Sequence, residues 1–128
     1  MTKVLIVDDM DDIRYAVKGG LEALGKEYEV IEAKNGDEAL QMLPETKPDI
    51  VLMDVMMPGT DGLDTTIKIK NDPSMKDTLV IILTAKTDSL TKGIGEVAAD
   101  AFLEKPFDIE TLDQLIEAVK AQKDVVDA

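Results

Sequence analysis

The chain has 128 residues and a formal net charge of −13, with 27 Asp and Glu against 14 Lys and Arg. It contains no cysteine and no histidine, which excludes disulfides, zinc–thiolate sites and histidine general bases. The negative charge argues against direct nucleic-acid binding, because phosphate backbones recruit basic surfaces. Any chemistry here therefore uses carboxylates, lysines, hydroxyls and the backbone.

Hydrophobic residues make up 45% of the chain and charged residues 32%, proportions typical of a globular domain. We predict one domain over residues 1–128, with a core from about 2 to 121 and a tail that frays over 122–128. No apolar run is long enough to span a bilayer, and no signal peptide precedes the first strand. We expect a cytoplasmic monomer that does not contact a membrane.

Five short apolar runs predict strands, and segments with helical spacing of apolar residues separate them. The strands are predicted at 4–7, 28–33, 49–54, 79–83 and 101–104, and the helices between 11 and 24, 35 and 44, 63 and 71, 90 and 97, and 109 and 122. Several strands are apolar on both faces, as in buried parallel sheets. The pattern predicts a doubly wound α/β domain with a central parallel sheet.

Capping residues place several helix ends. Gly25 suits the C-terminal end of the first helix, and Asn35 can cap the second while Glu38 reaches back to the cap. We expect Pro44 to end the second helix. Asp108 is predicted to cap the last one.

Polar side chains follow four of the predicted strands. Asp8 and Asp9 follow the first strand, Asp54 ends the third, Thr84 follows the fourth and Lys105 follows the fifth. Right-handed crossovers bring the carboxyl ends of parallel strands to one edge, where ligands bind in this architecture. Taken alone, the two adjacent aspartates could simply cap the first helix, but the full set predicts a site with Asp54 as its reactive group.

Three carboxylates at one edge repel each other, so they are stable together only when their charge is offset, for instance by a bound cation. Oxygen ligands without histidine or cysteine favour Mg²⁺ or Ca²⁺, and few protein ligands with open positions favour Mg²⁺. A cation, a lysine and a hydroxyl around one carboxylate are suited to placing a phosphoryl group on Asp54.

The chain resembles the receiver domain of two-component response regulators, and as a free-standing domain it is similar to chemotaxis response regulators. The motifs that carry the resemblance are Val7-Asp8-Asp9, Met53-Asp54 with Met57-Pro58 and Asp61-Gly62, Leu83-Thr84-Ala85, and Lys105-Pro106-Phe107. The resemblance implies a flavodoxin-like sheet of five parallel strands in the order 2-1-3-4-5, with five helices.

The resemblance also implies roles at the carboxylates. Asp54 would accept a phosphoryl group from the phosphohistidine of a sensor histidine kinase. Asp9 and Asp54 would bind Mg²⁺ directly, together with the backbone carbonyl of Met56, while Asp8 would act mostly through water. The protein would be a phosphoacceptor that assists its own phosphotransfer, rather than an enzyme with a separate substrate.

The remaining roles concern readout and lifetime. Thr84 would bond a phosphoryl oxygen and move inward on phosphorylation, and Phe102 would swing between exposed and buried positions. Lys105 would pair with the phosphate, and its bond to Pro106 would be cis. Met56 and Lys86 lie two residues after Asp54 and Thr84, beside the implied path of hydrolytic water, and we expect them to make autodephosphorylation slow.

Three other functions fit the sequence less well. A haloacid-dehalogenase-like phosphatase also uses an aspartate nucleophile and Mg²⁺, but Met56 stands where that family has a second carboxylate. Flavin binding is disfavoured because only 3% of residues are aromatic, and binding without phosphorylation because every reactive position is filled. With no output segment after the last helix, the expected target is a protein: a motility component, or the next member of a phosphorelay in which this chain acts as a shuttle.

Overall fold

The computed structural model describes residues 1–57, 60–84 and 99–127. These contain seven strands, four α-helices and one turn of 3-10 helix at Pro73–Met75. The strands are β1 (Thr2–Val7), β2 (Tyr28–Ala33), β3 (Ile50–Asp54), β4 (Met56–Met57), β5 (Thr60–Asp61), β6 (Leu79–Thr84) and β7 (Ala101–Glu104). The helices are α1 (Asp11–Glu22), α2 (Gly36–Thr46), α3 (Gly62–Asn71) and α4 (Ile109–Asp127).

Five of the strands form one parallel sheet in the order β2-β1-β3-β6-β7. In chain order this is 2-1-3-4-5, so the predicted doubly wound α/β topology is confirmed. The two short strands β4 and β5 pair with each other in an antiparallel ribbon, inserted between β3 and α3. The ribbon therefore begins two residues after the carboxyl end of the central strand.

The apolar strands have a buried layer on each side, because successive side chains point to opposite faces of a sheet. On β1, Val4 and Ile6 belong to a first core cluster that includes buried residues of α1 and α4. Leu5 and Val7 belong to a second cluster, which includes residues of α2 and α3. The continuous apolar runs in the sequence are explained by these two layers.

The N-terminal cap of α2 forms as predicted, with a small difference. The Glu38 amide donates to Oδ1 of Asn35 at 2.8 Å. The Glu38 carboxylate, however, accepts from the amide of Lys34 at 3.3 Å rather than from that of the capping residue. The first helix ends at Glu22, two residues earlier than predicted, with Ala23 as its cap. Gly25 lies three residues beyond the helix and adopts a left-handed φ of 77°, where glycine is favoured.

The prediction that Pro44 ends α2 is wrong, because the helix continues to Thr46. Proline lacks the backbone N–H that would bond the carbonyl of Leu40, but the residues that follow still make their own hydrogen bonds to the helix. The amide of Lys47 donates to the Leu43 carbonyl at 2.9 Å, and the Thr46 hydroxyl donates to the carbonyl of Met42 at 2.8 Å. Lys47 then ends the helix in a left-handed conformation, with φ of 44°.

The buried face of α3 includes only one of its two isoleucines. Ile69, Thr65 and Thr66 are buried, whereas Ile67 is 38% exposed. The sequence offers apolar residues on two sides of this helix, and only packing against the second core cluster selects Ile69. The predicted helix between 90 and 97 lies outside the described residues.

The last helix forms where predicted and extends further. Its cap is confirmed, since the amide of Thr111 donates to Oδ1 of Asp108 at 2.7 Å. The backbone stays helical to Asp127, past the start of the predicted frayed tail. Near that point, Nζ of Lys123 donates to the carbonyl of Asp77 at 2.6 Å, which fixes the end of the helix to the turn before β6. No described helix combines the length and apolar character needed to cross a membrane.

A polar contact also ties α4 to the edge strand β2. The Tyr28 hydroxyl donates to Oδ1 of Asp113 at 2.5 Å, and Nζ of Lys26 donates to Oδ2 at 2.7 Å. These hydrogen bonds lower the pKa of Asp113, because they favour its charged form.

Two adjacent glycines in α1 provide a matched test of helix packing. A Cβ at Gly19 meets nothing within 4 Å, so Gly19→Ala should raise the free energy of unfolding by about 0.5–1 kcal/mol. A Cβ at Gly20 would lie 2.4 Å from Cγ1 of Ile109 on α4. Gly20→Ala should therefore destabilise the fold, since overpacking costs about 1–3 kcal/mol. Urea unfolding measures both, and equal stability of the two variants would contradict this packing.

Candidate functional site

Three carboxylates converge at the carboxyl edge of the sheet. One oxygen from each of Asp8, Asp9 and Asp54 lies within 4.8 Å of the other two. The parallel pairing of β1 with β3 sets Val7 opposite Met53, so the next residue of each strand carries a carboxylate to the same place. Asp8 is fully buried and Asp54 is 4% exposed, whereas Asp9 faces solvent.

A lysine amine offsets part of this negative charge. Nζ of Lys105 lies 3.2 Å from Oδ2 of Asp8 and 3.4 Å from Oδ1 of Asp54. Lys105 follows β7, and its peptide bond to Pro106 is cis, as predicted. The amine therefore bridges the two buried carboxylates of the cluster.

Thr84 is the last residue of β6 and follows the residue that pairs with Asp54, since Leu83 and Asp54 are opposite each other in the parallel pairing. Its carbonyl accepts a hydrogen bond from the amide of Lys105 at 2.6 Å. The two residues are thus joined through the backbone. An inward movement of Thr84 on phosphorylation stays a prediction.

Phe102 lies on β7, opposite Ile82 of β6. Its side chain is half-buried and packs against the second core cluster. The swing of Phe102 between exposed and buried positions stays a prediction, because a single conformation does not test it.

Met56 and Lys86 are the two residues predicted to set the lifetime of the phosphorylated form. Met56 begins the ribbon strand β4, two residues after Asp54, which places its backbone beside the site. Lys86 lies outside the described residues.

A buried arginine, which was not among the predicted site residues, lies behind the carboxylate cluster. Arg14 is only 4% exposed, and with Val17 and Leu21 it forms the buried face of α1. This spacing of three and four residues is that of one helix face. A charged residue on an otherwise apolar stripe was the available signal.

The guanidinium of Arg14 has three partners. Nη1 donates to the carbonyl oxygen of Asp8 at 2.6 Å, Nε donates to Oε1 of Glu32 at 3.1 Å, and Nη2 pairs with Asp11. Burial opposes the charge, but the bonds to the carboxylates of Asp11 and Glu32 outweigh it and raise the pKa of Arg14. Its charge is therefore fixed, and its contacts join β1, β2 and α1.

Gly62 accounts for the close approach of α3 to the phosphoacceptor candidate. A Cβ at this position would lie 2.3 Å from the carbonyl oxygen of Asp54 and 2.8 Å from Cα of Val55. Both are backbone atoms, which cannot rotate away as a side chain does. The carbonyl of Gly62 also accepts from the Thr66 hydroxyl at 2.8 Å. Any larger residue at Gly62 must displace the backbone that carries Asp54.

The donor set fits a hard divalent cation. Three carboxylates can converge on one point, and the chain has no histidine or cysteine to favour a softer metal. One of the three faces solvent, which leaves room for water and for a substrate oxygen. Such a partly open set of oxygen ligands is what Mg²⁺ accepts.

Comparison with known proteins identifies the family. Residues 4–117 match the response regulator receiver domain. The chain therefore belongs to the receiver domain family of two-component response regulators. Receiver domains accept phosphoryl groups from histidine kinases and bind Mg²⁺ at an acidic pocket.

Relatives of two lengths match. The chain is 38% identical to Protein PilH of Pseudomonas aeruginosa over 122 residues, covering 94% of this chain and 99% of PilH. It is 39% identical over 117 residues to the phosphate regulon transcriptional regulatory protein PhoB of the same organism, covering 91% of this chain but only 50% of PhoB. The similarity thus spans nearly all of one relative and half of the other.

Solved structures agree with this assignment. The chemotaxis response regulator CheY4 of Vibrio cholerae superposes with a TM-score of 0.84 at 35% identity, covering 93% of this chain and 98% of CheY4. Response regulator TrrA of Thermotoga maritima, in complex with Mg²⁺ and BeF, superposes with a TM-score of 0.82 at 33% identity, covering 93% of this chain and 99% of TrrA.

The contact at Gly62 predicts a specific sensitivity. Gly62→Ala should lower the free energy of unfolding by about 1–3 kcal/mol, because its Cβ overlaps backbone atoms, and should shift the amide resonances of Asp54 and Val55. Urea unfolding and two-dimensional NMR measure these effects, with Gly19→Ala as the control for the same added methyl group. A Gly62→Ala variant as stable as the control would contradict the overlap.

Proposed function

We propose that this chain is a phosphorylation-dependent switch, in which Asp54 takes a phosphoryl group from the phosphohistidine of a sensor histidine kinase. The observation that supports it best is the pairing of Oδ1 of Asp54 with Nζ of Lys105 at 3.4 Å, inside a cluster of three carboxylates. A nucleophilic oxygen and a cation for the incoming phosphate are thereby side by side.

The proposed transfer is a displacement at phosphorus. An oxygen of Asp54 attacks the phosphorus in line with the bond to the histidine nitrogen, the P–O bond forms as the P–N bond breaks, and the electron pair stays on the nitrogen. Lys105 stabilises the charge on the phosphoryl oxygens. Mg²⁺, held by Asp9, Asp54 and the backbone carbonyl of Met56 with Asp8 acting mostly through water, would neutralise the same oxygens. Thr84 would donate a hydrogen bond to one of them.

The proposed signal is a shift between two conformations. The added phosphate gives Thr84 a new partner, and the backbone bond from Lys105 to Thr84 makes the ends of β6 and β7 move together. Phe102 lies on β7, two residues before Glu104, which pairs with Thr84. Its side chain would follow into the space that Thr84 leaves. A target protein that binds only one arrangement then reads the phosphorylation state.

The target we propose is a protein partner in chemotaxis or motility. The support is the similarity to CheY4, which is described as a chemotaxis response regulator, over almost its whole length. A phosphotransfer protein is the alternative target, and in that case the chain would act as a shuttle in a multistep phosphorelay.

Phosphorylation of Asp54 is tested with a small phosphodonor, Mg²⁺ and intact mass spectrometry. We expect one added phosphoryl group on the native chain, none on Asp54→Ala, and none on the native chain when EDTA replaces Mg²⁺. Asp77→Asn is the matched control, because Asp77 is an exposed carboxylate just before β6, at the opposite edge of the sheet. An unmodified native chain, or a phosphorylated Asp54→Ala variant, would contradict the proposal.

The lifetime of the phosphorylated form depends in our proposal on Met56, because an apolar side chain orders the hydrolytic water poorly. Met56→Asn should shorten the lifetime severalfold, measured as loss of the phosphorylated mass with time. Met56→Leu is the control and should decay at the native rate. An unchanged decay rate in Met56→Asn would remove Met56 from this role and leave Lys86 as the residue to vary.

A further inference from the structure

We infer that Arg14 is a positioning residue for the cation-binding turn, which aims the carboxylate of Asp9 before any metal binds. The inference rests on the proposed function in one respect, namely that the three-carboxylate cluster holds Mg²⁺. Within the residues that the structure describes, Arg14 contacts the backbone carbonyl of Asp8 and the carboxylates of Asp11 and Glu32, not the carboxylate oxygens of the cluster. It acts instead on the backbone of the turn between β1 and α1.

The two peptide groups that flank Asp9 are each held by one hydrogen bond. The carbonyl of the Asp8–Asp9 peptide accepts from Nη1 of Arg14 at 2.6 Å. The N–H of the Asp9–Met10 peptide donates to Oδ1 of Asp8 at 2.9 Å. Because peptide groups are planar, the only soft backbone torsions at Asp9 are its own φ and ψ. Fixing both planes therefore fixes the direction in which the Asp9 side chain leaves the chain.

Asp9 needs this support more than its neighbour does. Both the backbone and the side chain of Asp8 are hydrogen-bonded. Its amide donates to the carbonyl of Ala33 at 3.2 Å, and its carboxylate accepts from Nζ of Lys105 and from the amide of Met10. Asp9 is exposed, and the charge of the other two carboxylates repels it from the cluster. A rigid backbone opposes that repulsion and preorganises the cation site.

Arginine is the side chain suited to this task. Its guanidinium offers several N–H donors in one rigid plane, which lets it bind the turn and its own anchors at once. The anchors are Glu32 on β2 and Asp11 on α1, so the position of the guanidinium is set by two elements other than the turn it holds. A buried guanidinium without such partners would be strongly destabilising.

The chain supplies a matched control one helical turn further on. Nζ of Lys18 also reaches from α1 to a backbone carbonyl, that of Val30 at 2.8 Å, and also pairs with a glutamate, Glu22, at 3.2 Å. It holds the middle of β2 rather than the turn. Lys18→Met therefore removes a similar contact without touching the proposed site.

The test measures Mg²⁺ affinity of the unphosphorylated protein by isothermal titration calorimetry. Arg14→Met should weaken binding about 10-fold, the lower end of the range for residues that orient metal ligands, while Lys18→Met should leave it unchanged. Arg14→Lys keeps the charge but loses the planar fork, and should also bind Mg²⁺ more weakly. If Arg14→Met does not fold, Glu32→Gln replaces it in the test. This variant weakens one partner of the guanidinium and should also lower the affinity for Mg²⁺.

A second readout needs no metal. Hydrogen exchange of the Met10 amide, followed by NMR in EDTA, should be several times faster in the Arg14 variants and unchanged in Lys18→Met. With a small phosphodonor, the slower phosphorylation of Arg14→Met should recover at saturating Mg²⁺, because the nucleophile and Lys105 are intact.

Folded Arg14→Met or Arg14→Lys with native Mg²⁺ affinity and native Met10 exchange would overturn the inference. A Lys18→Met variant with an equal loss of Mg²⁺ affinity would also overturn the inference, because the loss would then result from lower overall stability. If the native chain took no phosphate, the proposed function would fail, while the exchange and affinity measurements would still decide the role of Arg14.

Discussion

The site depends on a local excess of negative charge, which the fold holds at the carboxyl edge of the sheet. At an effective dielectric constant of about 20, two unit charges 4 Å apart interact by about 4 kcal/mol, and the cluster brings together three carboxylates on this scale. Lys105 offsets part of that repulsion from within, between Asp8 and Asp54. The negative charge that remains favours the binding of a cation, or of a phosphate together with a cation, in this acidic pocket.

Backbone features keep this arrangement from relaxing. The parallel register of β1 and β3 brings two carboxylates to the same level, and Gly62 lets α3 approach the backbone of Asp54 closely. On the far side, Lys105 is bonded through its amide to the carbonyl of Thr84. The charged groups are therefore attached to the ends of neighbouring strands. A displacement of one group consequently shifts the ends of several strands.

The sequence predicted the strands and the residues of the cluster well, because doubly buried strands have continuous apolar runs and their polar ends stand out. The order of the strands was implied by the resemblance to receiver domains and not by these patterns. The sequence failed where packing or a distant partner decides. Pro44 was expected to end α2, but the bonds around it keep the helix going. On α3 both faces carry apolar residues, and only the core selects Ile69. Arg14 was missed because its bonds to Glu32 on β2 and to the backbone carbonyl of Asp8 hold it buried, and sequence spacing shows neither bond.

The position of α4 has a consequence for how the chain folds. Its residues Leu112, Ile116 and Val119 close the first core cluster over β1, β3 and β6, and the bond between Tyr28 and Asp113 spans 85 residues. During synthesis, the apolar surface that these α4 residues cover on the first face of the sheet stays exposed until α4 is made. Long-range closures of this kind slow folding, and exposed apolar sheet surface invites aggregation.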